Sequence, residues 1–173
     1  MLKALLLRFV DICLLRAGPQ DLPVSMFLFW LSMIAYLVSG YLVVSIVGSF
    51  VNSINEVLVD AALQVLGLRL LLRFTRHEER FVQTTAATLG TGAILQLIAL
   101  PLNQWAVATS VDGQAEALPV FLVLAMMVWS VLVFGHILRH ALDVKFIQGV
   151  GAALAFLFVT ILLVNMVVPD GAA

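Results

Sequence analysis

Four stretches of this chain run without a charged residue for at least the thickness of a membrane. Residues 22–55, 81–111, 117–138 and 146–169 contain no Asp, Glu, Lys or Arg. A helix needs about 20 apolar residues to cross the roughly 30 Å hydrocarbon core, so each run holds at least one span. The first run is too long for one straight span, because its length corresponds to about 51 Å of helix. It is expected to end one span near Gly48, turn at Gly48–Ser49 and begin the next. Composition agrees: 63% of the 173 residues are hydrophobic and 11% are charged, with a mean hydropathy of +1.13. Soluble domains carry about 25% charged residues. An ordinary soluble domain, a disordered chain and a nucleic-acid binder are thereby excluded. A net charge of −1 leaves no footprint for a polyanion. One cysteine, Cys13, leaves no disulfide framework and no Cys-based zinc site.

A fifth segment, about 50–72, is apolar but interrupted by Glu56, Asp60 and Arg69. Charge decides how to read it. If it spans, and the N-terminus is inside, then Lys3, Arg8, Arg16, Arg69, Arg73, Arg76, Arg80, Arg139 and Lys145 all lie inside. These are all 9 basic residues of the chain. If it does not span, the cluster at 69–80 lies outside, against the positive-inside rule. The expected architecture is an all-α polytopic bundle in a single transmembrane domain over 1–173. Its five spans lie at about 23–47, 52–73, 82–102, 118–140 and 145–167, N-terminus inside and C-terminus outside.

The first 17 residues do not read as a signal peptide, since Lys3, Arg8, Asp11 and Arg16 break any apolar core. Leu2, Leu6, Phe9, Val10 and Cys13 share a helical face. The spacing predicts an amphipathic helix at the inner interface. Gly18, Pro19 and Pro23 then turn the chain into the first span. The longest loop, about 103–117, is expected outside, with Trp105 as an interfacial aromatic. Pro101 is expected to end or kink the third span.

Polar residues inside the spans are the candidates for function. Asn52, Glu56, Asp60 and Gln64 recur every four residues on one side of the second span. Ionisable groups there are costly and face protein or water. The stripe is either a cation or proton site around Asp60 and Glu56, or a polar seam holding the bundle together. On the third span Thr85, Thr88, Gly92, Gln96, Ala99 and Asn103 share a small and polar face suited to that stripe. On the fifth, Gly149-x-x-x-Ala153 and Gly151-x-x-x-Ala155 are packing patterns, within the chain or against another subunit. Asn165 is a lone polar group expected to bond a neighbour.

His136 and His140 lie one turn apart at the end of the fourth span. They can hold one metal ion, or else form, with Arg139, a helix-end cap facing lipid phosphate. They cannot be opposite axial ligands of one haem, and no metal or cofactor is assigned. The 73–80 loop, with Arg73, Arg76 and Arg80, anchors the orientation or contacts lipid or a partner. No nucleophile or phosphate-binding motif is present, so an enzyme is not expected.

The short five-span plan resembles the Yip family of small polytopic membrane proteins and its bacterial relatives. The segment RFVQTTAATLGTG at 80–92 is similar to the stretch where a Gln-Thr pair opens the third helix of such proteins. RAGPQDLP at 16–23 and GHILRH at 135–140 are similar to segments of bacterial inner-membrane proteins. The long hydrophilic N-terminal segment of eukaryotic members is missing here. The resemblance implies no catalytic residues and a non-enzymatic factor working through partners. The expected function is therefore an accessory, assembly or scaffolding subunit of a larger bacterial inner-membrane complex, in contact with the lipid bilayer and other membrane subunits. The alternatives are a small proton- or cation-coupled carrier using the second-span stripe, and a redox-associated subunit with a cofactor near His136 and His140.

Overall fold

The computed structural model describes residues 2–46, 50–110 and 116–167. Six α-helices follow in order: α1 (Leu2–Cys13), α2 (Met26–Val44), α3 (Phe50–Phe74), α4 (Phe81–Ala108), α5 (Ala117–Ala141) and α6 (Phe146–Val167). There is no strand among the described residues. Four segments are long and apolar enough to cross a membrane: α2, Glu78–Ala108 (containing α4), α5 and Phe146–Val164 (within α6). α3 is 25 residues long, the length of a span, but its polar residues keep its hydropathy below theirs. The expected turn at Gly48–Ser49 lies outside the described residues, as does the side chain of Asn165.

α4 is the hub. α2 packs along one side of it and α5 along another, while α6 packs on α5 and α3 touches α2, α4 and α6. Residues Thr84 to Thr91 of α4 are buried without a break. The reason is local: Thr84, Thr85, Ala86, Ala87, Thr88, Gly90 and Thr91 are small enough for neighbours to approach from several directions. On Gly90 a Cβ would fall on the Phe9 ring of α1, and on Gly92 it would lie 2.8 Å from the Tyr36 ring of α2.

α1 is docked into this arrangement through Leu5, Phe9, Ile12 and Cys13, which join the largest core cluster with Ala86, Ala87, Val133 and Ile137. The Cys13 thiol donates to Thr91 O at 4.0 Å, and Trp129 Nε1 donates to Cys13 O at 3.1 Å. Burial pushes the thiol up to about 11. The packed face is therefore rotated from the expected one: Leu6 and Val10 point outward. The outward side remains apolar too, with Leu7 and Leu14, so the helix has two greasy sides and the bundle selects the one with the aromatic ring.

The helices meet unevenly along their length. α3 and α5 finish, and α2, α4 and α6 begin, at one end, which carries most of the basic residues, whereas α1 docks further in, at the level of Gly90, Thr91 and Trp129. In α4 the buried residues run from Thr84 to Leu95 and none follows. In α5 they are Val133, Gly135 to Leu138 and Ala141, with only Pro119 in the other half. The basic end is packed, and in the far half α4 and α5 are parted, while α2 and α3 still meet at Gly40 and Val57. Closest packing is between α5 and α6. A Cβ on Gly135 would lie 2.7 Å from Val150 Cα, and one on Gly149 would strike Gly135 O. Of the two small-residue pairs on α6, Gly149 and Ala153 are buried in this contact. Gly151 and Ala155 face away, with nothing within 4 Å of a Cβ on Gly151.

α4 does not stop at Pro101 but continues to Ala108. The proline lies on an exposed side, and Asn103 Nδ2 donates to Ala99 O at 2.9 Å in the same turn. The loop expected at about 103–117 is shortened accordingly, and Trp105 sits on the helix.

Backbone collision at one glycine and open space at another give a direct contrast. Gly149→Leu should cost about 1–3 kcal/mol, whereas Gly151→Leu should leave stability unchanged. Thermal unfolding of the two variants in detergent reads the difference.

Candidate functional site

The polar residues of α3 converge with residues of α2 and α4 about halfway along the bundle. Asp60 is about 15 Å from the start of α3. Tyr36 Oη of α2 donates to Asp60 Oδ2 at 2.5 Å. One helical turn on, Ser39 Oγ donates to Gln96 Oε1 of α4 at 2.6 Å. The Gln64 and Gln96 amides lie around the Tyr36 hydroxyl, and Gln64 Oε1 is buried with no hydrogen-bond partner. Asp60 accepts from Tyr36 alone among the described residues.

The helices position these groups by elementary periodicity. Ser32, Tyr36, Ser39 and Gly40 are buried on one face of α2, at the spacing that faces a neighbour. Gly92 gives Tyr36 room to lie against α4. Val57 meets Gly40, where a Cβ would be 3.3 Å from Val57 Cγ1, so α2 and α3 are close enough for the Tyr36–Asp60 bond.

Two clefts meet at this cluster. One, of about 370 Å³, is lined by Thr88, Gly92, Gln96, Asn103 and, across from them, residues of α5 such as Met126 and Met127. The other, of about 300 Å³, runs between α2 and α3 on one side and α6 on the other, past Glu56 and Thr160. Tyr36, Asp60, Gln64 and Gln96 line both.

The expected residues divide accordingly. Asp60, Gln64, Thr88, Gly92 and Gln96 are brought together, and Glu56 stands along the second cleft. Asn52 is exposed and apart. Thr85 is buried with its hydroxyl unpartnered. Thr88 and Thr91 do not bond across helices. They donate back to Thr84 O at 2.9 Å and Ala87 O at 2.7 Å, the local alternative open to helix threonines. Tyr36 and Ser39 are the functional side chains that charge and motif reading passes over.

The basic end forms a second polar centre. Arg80 Nη1 donates to His140 O at 3.0 Å and Ala141 O at 3.2 Å, and its Nη2 pairs with Asp143 at 2.8 Å. Arg80 thus caps α5 and is committed within the fold. Its guanidinium holds the Asp143 carboxyl below the ordinary 3.8. Arg73 pairs loosely with Glu78 at 3.8 Å, both well exposed, and Arg76 is exposed with a left-handed φ of 60°. Arg76 closes α3 through a His77 N–H to Leu72 O bond of 2.8 Å, a reversal that usually takes glycine. His136 faces inward: it is buried, and its Nε2 lies 3.0 Å from Ala17 O. His140 stacks edge-on to it with centroids 4.7 Å apart, and Arg139 lies over Phe146. No group of three metal-ligating side chains occurs among the described residues. His136 pins the turn after α1 to α5.

Comparison with protein-family models, curated proteins and solved structures found no match.

A buried acceptor that loses its donor costs about 1–3 kcal/mol. Tyr36→Phe removes the donor to Asp60 and should lower stability by that amount. Ser45→Ala, which removes an exposed hydroxyl that bonds only its own helix at Leu42 O, is the control; thermal unfolding in detergent compares the two.

Proposed function

We propose that this chain is a non-enzymatic, five-span protein of a bacterial inner membrane that acts as an accessory or assembly subunit of a larger complex. α3 is the fifth span in this reading. It runs antiparallel to α2 and α4 over the same thickness: Val57 meets Gly40, Asp60 meets Tyr36, and Arg69 lies over the Phe81 ring with its guanidinium carbon 5.5 Å from the centroid. Apart from Asn52 near its end, its polar stripe turns inward, which makes a low-hydropathy helix tolerable in lipid. The basic end is then inside and the parted half lies towards the outer leaflet. α1 leans on the inner half. The resemblance to Yip-like proteins is part of the same proposal.

The observation that carries the accessory role is the uneven packing. In hydrocarbon, helices associate through close contact rather than through exclusion of water. A bundle that contacts itself closely in one half, leaves the outer half of α5 unpaired, and leaves the Gly151–Ala155 side of α6 open within the packed half, has helix surface suited to a second protein. Its described segments outside the helices are too short for soluble work.

The clefts ending on Asp60 favour a second reading, a small carrier for a proton or cation with Asp60, Glu56 and Gln64 along the path. A third, a redox-associated subunit, has no support from the histidines, which serve packing.

Native mass spectrometry of the protein extracted from its own membrane in mild detergent tests the first reading. Stoichiometric co-purification of another membrane subunit is the expected result. A lone monomer or homo-oligomer contradicts it and directs attention to the carrier.

A further inference from the structure

The parted half of the bundle ends on a floor whose hydrogen bonding is unbalanced. Asp60 receives one hydrogen bond, from Tyr36. Gln64 Oε1 is buried and receives none. The hydroxyl protons of Tyr36 and Ser39 are already committed, to Asp60 and Gln96. The floor therefore offers spare acceptors, one of them a carboxylate oxygen, while its amide N–H groups, on Gln64 and Gln96, lie around the Tyr36 oxygen. Above it the walls are apolar, including Leu95, Phe134 and Leu157. A carboxylate in such surroundings is costly unless it is paired and hydrogen-bonded.

An occupant that matches has N–H donors and positive charge at one end and apolar atoms elsewhere. An anion meets like charge at Asp60. A bare divalent cation lacks ligands, since no three metal-ligating side chains cluster among the described residues and such ions take six or more oxygens. The cleft volumes of about 370 and 300 Å³ lie at the lower end of the range for small-molecule sites.

We infer that the clefts form a binding site for an organic cation bearing N–H donors, an ammonium or guanidinium on an apolar body, with Asp60 as its counter-ion and Gln64 as a second acceptor. The inference rests on the five-span reading, which puts the floor near mid-bilayer, and is independent of the accessory role. The same chemistry has two sources: a free amine entering from the outer leaflet, or a Lys or Arg side chain of a partner's membrane helix lying across the cleft.

The test is isothermal titration of the full-length protein in detergent with benzylammonium, benzyltrimethylammonium and benzyl alcohol, alongside co-purification from the native membrane. Benzylammonium should bind saturably. The quaternary ion lacks N–H donors and should bind about tenfold or more weakly, and the neutral alcohol weaker still. Asp60→Asn should weaken benzylammonium by about tenfold or more. Gln64→Leu gives a second, smaller loss should Asp60→Asn fail to fold, and the comparison of probes on the wild type needs no variant. If no free amine binds but a subunit that co-purifies with the wild type is lost from Asp60→Asn, the source is a partner's side chain and the site stands. Equal binding of all three probes overturns the inference. So does wild-type binding by Asp60→Asn, or the absence of both amine binding and an Asp60-dependent partner. Labelling of Thr109→Cys from the outer side reports the five-span reading separately.

Discussion

Close approach of backbones at α4 is the constraint on which the rest of this fold depends. Lipid tails are as apolar as leucine, so these helices associate through close contact and interhelical hydrogen bonds such as Tyr36–Asp60 and Ser39–Gln96. The run Thr84–Ala93 supplies contact on several sides at once, because Ala86, Ala87, Gly90 and Gly92 let α1 and α2 reach it with aromatic rings. Gly135 and Gly149 do the same for α5 and α6 at backbone level. Beyond Leu95 no residue of α4 is buried, although Gln96, Ala99 and Asn103 continue its small and polar face along the cleft.

The parting of α4 and α5 decides the setting of the polar cluster. Asp60 sits where the packed half meets the parted half, with Tyr36 in the space that Gly92 leaves. Had the packing continued, the cluster would be a closed seam, and only its structural meaning would remain. Because both clefts reach it, the same residues stabilise the junction of α2, α3 and α4 and present unused acceptors to whatever enters. The basic end follows the opposite logic. Arg80, Asp143, His136 and the carbonyls of α5 and the turn after α1 satisfy one another, and the chain reversals at Leu15, Arg76 and Asp143 accept left-handed backbone without glycine.

Much of this was legible in the chain. Uncharged runs located four helices within a few residues, and the four-residue stripe from Asn52 to Gln64 identified the polar side of α3. The face of α4 from Thr88 to Asn103 was expected against the stripe of α3; it lines a cleft whose other wall is α5, and shares that cleft with the stripe at Asp60 and Gln64. Other features were not. Tyr36 and Ser39 are neutral residues in a strongly apolar helix, and only the spacing of Ser32, Tyr36, Ser39 and Gly40 could have marked them. Gly135 lies beside two histidines that drew attention to themselves, although the glycine makes the tighter contact. Threonines that bond their own helix cannot be told from threonines that bond a neighbour. On α1 two apolar faces compete, and the choice belongs to the bundle. The arginines of 73–80 read as one anchoring group, while Arg80 alone has a fixed structural partner set.

The bundle is closed at its basic end, and its α4–α5 side is open from the other end as far as Gln96. Single cysteines in place of Gln96 and of Leu89, each on a Cys13→Ser background in intact membranes, test it through reaction with a small impermeant maleimide. Gln96→Cys should react from the outer side and not the inner, and Leu89→Cys, in the fully buried stretch of α4, from neither. Reaction of Gln96→Cys from the inner side, or reaction of both positions alike, would contradict the account.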